Sequence, residues 1–343
     1  SKFMGEYIKG MDSDYTFGLC LGDIVGWDHS IYPEYNRIMS KAGIDYRYVI
    51  GNHDMTNWGR SYETSMKNYG DMYGPAWYSF NVGKVHYIVL NDNFYVGRDY
   101  FYIGLIDERQ LRWLENDLSY VPAGSTVVLA MHIPTTLGQE DRDAFQYGTI
   151  GDNLANKTAL YAMLEPYKAL ILSGHMHTSD FQKISDNITE INIAGLCGAW
   201  WCGATCIDGT PAGYKAFDFN GDNIKWIYKG CGHKTEYQFN AYIDPDQPGH
   251  IVANVWDYDP AWKVEYYEDG KKVCDMEQFT GTDMKARELY KDPSSLKRNW
   301  VYAAQTSHLF KAPMTKGARK LEVKVTDRFG RTYSKTIHYE MPN

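Results

Sequence analysis

Six residues of this chain have types and placements that could do chemistry: Asp23, Asn52, His53, His132, His175 and His177. Each closely follows a short apolar run, in the motifs Gly22-Asp23, Gly51-Asn52-His53-Asp54, Met131-His132 and Gly174-His175-Met176-His177. In open α/β sheets, functional groups gather outside the carboxyl ends of strands, so four separate strands could bring these residues to one place. The chemistry they suit is metal binding. A carboxylate such as Asp23 can bridge two cations, while the amide oxygen of Asn52 and the neutral imidazoles of His132, His175 and His177 suit zinc, manganese or iron. His175 and His177 are two apart, so an extended backbone would point both to one side, where they could serve neighbouring ions. Glycines at 22, 51 and 174 let the backbone turn sharply and approach those ions closely.

The elements that must position these residues follow from hydrophobic periodicity. Residues 15–21, 46–50, 127–131 and 169–172 read as buried strands, and residues 34–42 and 107–118 as helices, the latter with Leu111, Leu114 and Leu118 on one face. Residues 77–90 alternate on both sides of Val82-Gly83-Lys84, the pattern of a hairpin. The rhythm of strand and helix predicts an α/β core. From Gln238 onward the pattern changes. Residues 251–256, 262–267 and 320–326 alternate polar and apolar, separated or followed by turn formers such as Glu268-Asp269-Gly270 and Arg328-Phe329-Gly330. That predicts two domains, 1–237 of α/β type and 238–343 a small antiparallel β-rich domain of sandwich type, with residues 244–249 as a junction.

Composition bounds the partners. The 343 residues, 44% of them apolar, suffice for two buried cores, and 29 Tyr with 10 Trp fit a β-rich globular protein. A net charge of −8 argues against a nucleic-acid polyanion as partner. No apolar run approaches the roughly 20 residues needed to span a bilayer. Three of the six cysteines, Cys197, Cys202 and Cys206, fall close together with a spacing that matches no standard zinc pair, which leaves buried thiols or one local disulfide. Trp200 and Trp201 could line a substrate cleft or sit in the core. Asp92, within Asn91-Asp92-Asn93 at the end of another strand, could meet substrate or simply turn the chain. His29 and His86 read as surface or packing residues.

Gly-Asp, Gly-Asn-His-Asp, a lone His and Gly-His-x-His, in that order after strands, resemble the calcineurin-like phosphoesterase family over residues 1–235. The region beyond resembles the C-terminal domain of certain bacterial members. The resemblance implies a metallophosphoesterase β-sandwich flanked by helices, two divalent ions (manganese, zinc or iron), and hydrolysis of a phosphate mono- or diester by a hydroxide shared between them. Carried over motif by motif, Asp23 bridges the ions, Asn52, His132 and His175 complete one shell, and His177 binds the other ion. His53 protonates the leaving oxygen, with Asp54 as one candidate neighbour. Substrates in such a family are phosphorylated small molecules, lipids or proteins, and the bacterial relatives imply a periplasmic or exported protein.

One part of the family pattern is missing. Its members open with a strand ending in Asp-x-His, which supplies two ligands to the ion bound by His177. No such motif precedes Asp23. Asp12 and Asp14 lie in the turn before that residue's strand, where they make poor substitutes, and residues 1–10 resemble the helix that would follow the missing strand. The expectation is a chain that starts downstream of that motif. The alternative is a degenerate domain that holds one metal and acts as a binding or scaffold module, with the β-rich domain making the contacts that matter.

Overall fold

A computed structural model of the chain describes Gly5, Tyr7 and residues 15–56, 59–97, 101–136 and 150–338. The helix expected over residues 1–10 (apart from Gly5 and Tyr7), together with Asp12 and Asp14, lies outside the described residues. Two compact units emerge. The first comprises Ser1–Met176, Phe181–Ile193 and Phe219–Ile224, and the second His177–Asp180, Ala194–Asp218 and Lys225–Asn343.

In the first unit, β1 (Gly18–Cys20) and β2 (Tyr46–Tyr48) pair in parallel, with helix α1 (Tyr32–Met39) between them in sequence. Helices α2 (Tyr62–Ser65) and α3 (Lys67–Tyr73) follow. The hairpin β3 (Tyr78–Val82) and β4 (Val85–Val89) turns at Gly83-Lys84 as its alternation predicts. A second hairpin, β5 (Asn93–Gly97) and β6 (Phe101–Gly104), precedes α4 (Glu108–Leu118). That helix is capped by the Asp107 carboxylate, which accepts from the amides of Arg109 and Gln110. Then come β7 (Thr126–Ala130), α5 (Lys157–Leu164), β8 (Lys168–Ser173), β9 (Asp180–Lys183) and β10 (Ile188–Asn192). The main sheet runs β3-β4-β7-β8-β10-β9. Period-two alternation gives it two apolar faces. Ile88, Val127, Leu129 and Ile171 pack with Leu114 and Leu118 of α4 and Leu160 and Leu164 of α5. Val89 and Ala130 pack with Val49, Leu19 and Leu21 on the other face.

The second unit contains most of the hairpin β11 (Gly213–Asn220) and β12 (Asn223–Gly230), then β13 (Asn240–Ile243), β14 (His250–Asn254), β15 (Lys263–Glu268), β16 (Lys271–Asp275) and β17 (Glu277–Thr282). Helix α6 (Met284–Tyr290), β18 (Gln305–Pro313), β19 (Lys320–Thr326) and β20 (Thr332–His338) complete it. Two four-stranded antiparallel sheets, β13-β14-β18-β17 and β16-β15-β19-β20, share one core that includes Ile251, Tyr266, Phe310 and Val323. The sandwich expected for this region is present. Residues 244–249 are not a junction: Ile243 pairs with Ile251, and the amide of Asp244 donates to the His250 carbonyl at 2.9 Å, so Pro and Gly there turn β13 into β14. All six cysteines are free thiols, so the local disulfide left open by their spacing is not formed. Among the described residues no helix is long and apolar enough to cross a membrane.

The inner strands carry the site, so their packing should be costly to disturb. Ile171, fully buried between β7 and β10, tests this. Ile171→Ala should lower unfolding free energy by roughly 2–5 kcal/mol, read from urea melts of wild type and variant.

Candidate metal centre

The chain turns abruptly where β1 ends. Gly22 has φ +93° and Asp23 has φ +51°, a left-handed conformation that non-glycine residues adopt rarely. This turn lets the Asp23 carboxylate meet the chain leaving β2: Oδ1 accepts from the His53 amide at 2.9 Å. A side chain at Gly51 would collide with Asp23, and one at Gly22 would collide with the His132 imidazole, so both glycines are required by close approach. Gly174 is not crowded in this way. The left-handed residues of its motif are instead His175, φ +68°, and His177, φ +55°. The extended backbone expected there is therefore absent. Strand β8 stops at Ser173 and the chain coils, with the Met176 amide donating to the Gly174 carbonyl at 2.7 Å.

Four donor groups converge in the first unit. Asn52 Oδ1 lies 3.0 Å from His132 Nε2, His175 Nδ1 lies 3.1 Å from it, and Asp23 Oδ1 lies 3.4 Å from it. Candidate ligand atoms of Asp23, His132 and His175 all fall within 4.8 Å of one another. Ligands placed about 2.0–2.2 Å from one ion are separated by roughly 3.0–3.5 Å along the edges of its coordination shell. The observed spacings match such edges, and two imidazoles with two oxygens suit a borderline-soft divalent ion. His132 Nδ1 is committed to the Leu21 carbonyl at 2.7 Å, which aims Nε2 at the cluster.

Buried carboxylates hold these loops. Asp54 is fully buried; its oxygens accept from the amides of Ile24 (3.1 and 3.2 Å) and Gly51 (2.9 Å) and from the Tyr32 hydroxyl (3.1 Å). It therefore braces the turns beside Asp23 and Asn52. Asp92, expected as a turn or a substrate contact, is also fully buried and accepts from the amides of His132 (3.2 Å) and Ile133 (2.7 Å). Its neighbour Asn93 donates to the Ile50 carbonyl at 2.9 Å, just before the Asn52 motif. Glu190 accepts from the Thr135 amide and the Ser173 hydroxyl, each at 2.9 Å, tying the His132 loop to the strand that delivers His175. Sequence reading did not single out Glu190, although a carboxylate inside the apolar strand Ile188-Thr189-Glu190-Ile191 was the available signal.

His53 is fixed by its surroundings. His29 Nε2 donates to its carbonyl at 2.9 Å, and the Trp27 ring lies 4.2 Å from its imidazole. Neither Trp27 nor this role of His29 was anticipated. His86 is buried between Asn81 and Asp117, as a packing residue. His177 belongs to the second unit. Its Nδ1 meets the Gly198 carbonyl at 2.5 Å, and Trp200 stacks on its ring at 4.1 Å. Trp200 and Trp201 are both left-handed, φ +47° and +64°, a second pocket of backbone strain.

Electrostatics follow from this packing. Burial opposes charge on Asp23, but the adjacent His132, with smaller effects from His53 and His175, outweighs it and holds the carboxyl below the usual carboxylate range. His132 is pushed up to about 9: burial works against its charge, and Asp23 prevails. Asp92 rises to about 7 through burial, and Asp54 to about 7 through burial and the Asp23 charge.

Two histidines, an amide and a carboxylate gathered at the strand ends of an α/β sheet form a donor set that could hold a divalent metal ion. The chain belongs to the calcineurin-like phosphoesterases: the family model of that name matches residues 6–179, and the model for the C terminal of calcineurin-like phosphoesterase matches residues 190–333. It is accordingly a hydrolase of the metallophosphoesterase type, whose chemistry is metal-dependent hydrolysis of phosphate esters. No curated protein matches it in sequence. Similar solved structures include a dimetal phosphatase from Danio rerio at 13% identity, covering 74% of this chain and 84% of that one, TM-score 0.42. A purple acid phosphatase from yellow lupin (Lupinus luteus) seeds matches at 11% identity over 98% of this chain and 48% of its own, TM-score 0.44. The phosphopantetheinyl hydrolase of Mycobacterium tuberculosis matches at 12% over 53% and 82%, TM-score 0.37.

Two predictions follow from the raised groups. His132 contributes stability that is complete below its unfolded value of 6.5 and is lost as pH climbs through about 9. Asp54 and Asp92 hold native-state protons that the unfolded chain releases near 3.8, so their contribution fades as pH rises through about 7. The Tm of the protein in chelator should therefore be several degrees higher at pH 6 than at pH 9.5; an unchanged or reversed order would contradict these assignments. A ligating His132 must also give up its Nε2 proton. Calorimetry at pH 7.5 in buffers of differing ionisation enthalpy should show close to one proton released with the first ion, and none from His132→Ala.

Proposed function

We propose that the chain hydrolyses a phosphate mono- or diester at a two-ion centre. Asp23, Asn52, His132 and His175 would hold one divalent ion, and His177 would ligate a second. The observation that carries this reading is the spacing of three donor atoms around His132 Nε2, between 3.0 and 3.4 Å. Bound divalent ions, manganese, zinc or iron, would supply positive charge for the phosphoryl oxygens and lower the pKa of a coordinated water.

The remaining work falls to the protein. His53 donates a proton to the leaving oxygen. Its main chain is held at both ends, by Asp23 at the amide and His29 at the carbonyl, which fixes the point from which the imidazole projects. Trp27 shields one face of that ring, which limits water around the proton being transferred. Trp200, stacked on His177, restricts the ligand ring and offers a wall to the substrate. The substrate is a phosphorylated small molecule, lipid or protein.

Metal-reconstituted protein assayed on p-nitrophenyl phosphate and bis(p-nitrophenyl) phosphate separates monoesterase from diesterase. A proton donor matters most when the leaving group is a poor one. His53→Ala should lower kcat on glycerol phosphate about 10²–10³-fold and on p-nitrophenyl phosphate far less. Equal losses on both esters would remove His53 from that role, and no turnover of any ester with any of the three metals would remove the proposal.

A further inference from the structure

The second unit contains a buried polar cluster that none of this chemistry uses. Asp208 is completely buried in the turn that precedes β11. Its Oδ2 accepts from the Ser179 amide at 2.7 Å, the Thr210 hydroxyl at 2.9 Å and His308 Nε2 at 3.1 Å, and its Oδ1 accepts from the Thr210 amide at 2.9 Å. His308, on β18, is 5% exposed, and its Nδ1 meets Asn254 Oδ1 at 2.7 Å. Asn254, at the end of β14, returns its amide to the Asp208 carbonyl at 3.0 Å. The ring of contacts is closed. Gly209, φ +88°, is wedged so tightly that a Cβ there would collide with both Asp283 and Asn254, so the turn has no room to shift. Charge-assisted bonds of this kind are the strong ones, and a carboxylate loaded with four of them has little freedom.

Ser179 stands two residues after His177. The His177 ring is held at Gly198, while its backbone takes a left-handed conformation that must be stabilised from outside. Just beyond it, the Ser179 amide is anchored on the Asp208 carboxylate.

We propose that Asp208, backed by His308 and Asn254, is a positioning residue for His177: it clamps the Ser179 amide and thereby sets the backbone from which the His177 ring reaches its ion. This rests on the reading of His177 as a metal ligand. It parallels the first unit, where Asp54, Asp92 and Glu190 brace the other ligand loops in the same way.

The test is manganese(II) titration of the metal-stripped full chain, read by stoichiometry and affinity, together with amide hydrogen exchange at Ser179. Asp208→Asn places an NH₂ group among donors. It should weaken the second ion about 10–100-fold, leave the first in place, and speed Ser179 exchange. Thr210→Val removes one donor to the same carboxylate and should act in the same direction but less, which covers a poorly folding Asp208→Asn. Tyr242→Phe, which removes a hydroxyl bonded to Asp283 in the same unit, controls for general destabilisation and should leave both ions bound. The inference is overturned if Asp208→Asn keeps both ions at wild-type affinity with Ser179 still protected, or if Tyr242→Phe weakens the second ion equally. A titration that His177→Ala leaves unchanged overturns the ligand reading itself, and this inference with it.

Discussion

A loop that carries a metal ligand off the end of a buried strand takes main-chain N–H groups into a place where no sheet ladder can satisfy them. Each such group left unpaired would cost about 1–3 kcal/mol. Here the acceptors are carboxylates: Asp54 for Ile24 and Gly51, Asp92 for His132 and Ile133, and Glu190 for Thr135. A carboxylate suits the task because its two oxygens accept several donors at once. The cost is visible in Asp54 and Asp92, which burial lifts to about 7. The remaining features of the centre depend on these contacts, since they fix the backbone from which every donor atom projects.

That fixation lets strained conformations persist. Asp23 and His175 both sit in the left-handed region, which costs of the order of 1–3 kcal/mol for a non-glycine residue. Neighbouring contacts over-determine each of them: the Asp23 carboxylate holds the His53 amide, and the His175 segment is tied to Glu190 through Ser173. The result is a cluster whose donor atoms already stand at the edge lengths of a coordination shell. An ion bound there would have to displace the proton that His132 carries at its raised pKa.

Much of this was legible in the residues themselves. Strand ends followed by Gly-Asp, Gly-Asn-His-Asp, His and Gly-His-x-His marked the loops from which Asp23, Asn52, His132 and His175 converge, because strand period and turn-forming glycines are local signals. The sandwich fold of the second unit was equally plain from alternation. Conformation within the loops was not. Nothing in Gly174-His175-Met176-His177 announces that the histidines, not the glycine, take the left-handed angles, because that depends on contacts made elsewhere in the fold. Asp92, Glu190 and Asp208 were illegible as braces for the same reason: each partners an amide at least 29 positions away. Proline and glycine in residues 244–249 signalled a turn, but not whether it joined domains or strands.

Crystallography on the zinc-loaded protein, with anomalous diffraction to locate the ions, tests the central claim most directly. The account predicts an ion about 2.0–2.2 Å from His132 Nε2, His175 and the oxygens of Asp23 and Asn52, with Asp92 still accepting the His132 amide and Asp54 that of Ile24. Zinc bound away from this cluster, or bound only after those carboxylates have released the loops, would contradict it.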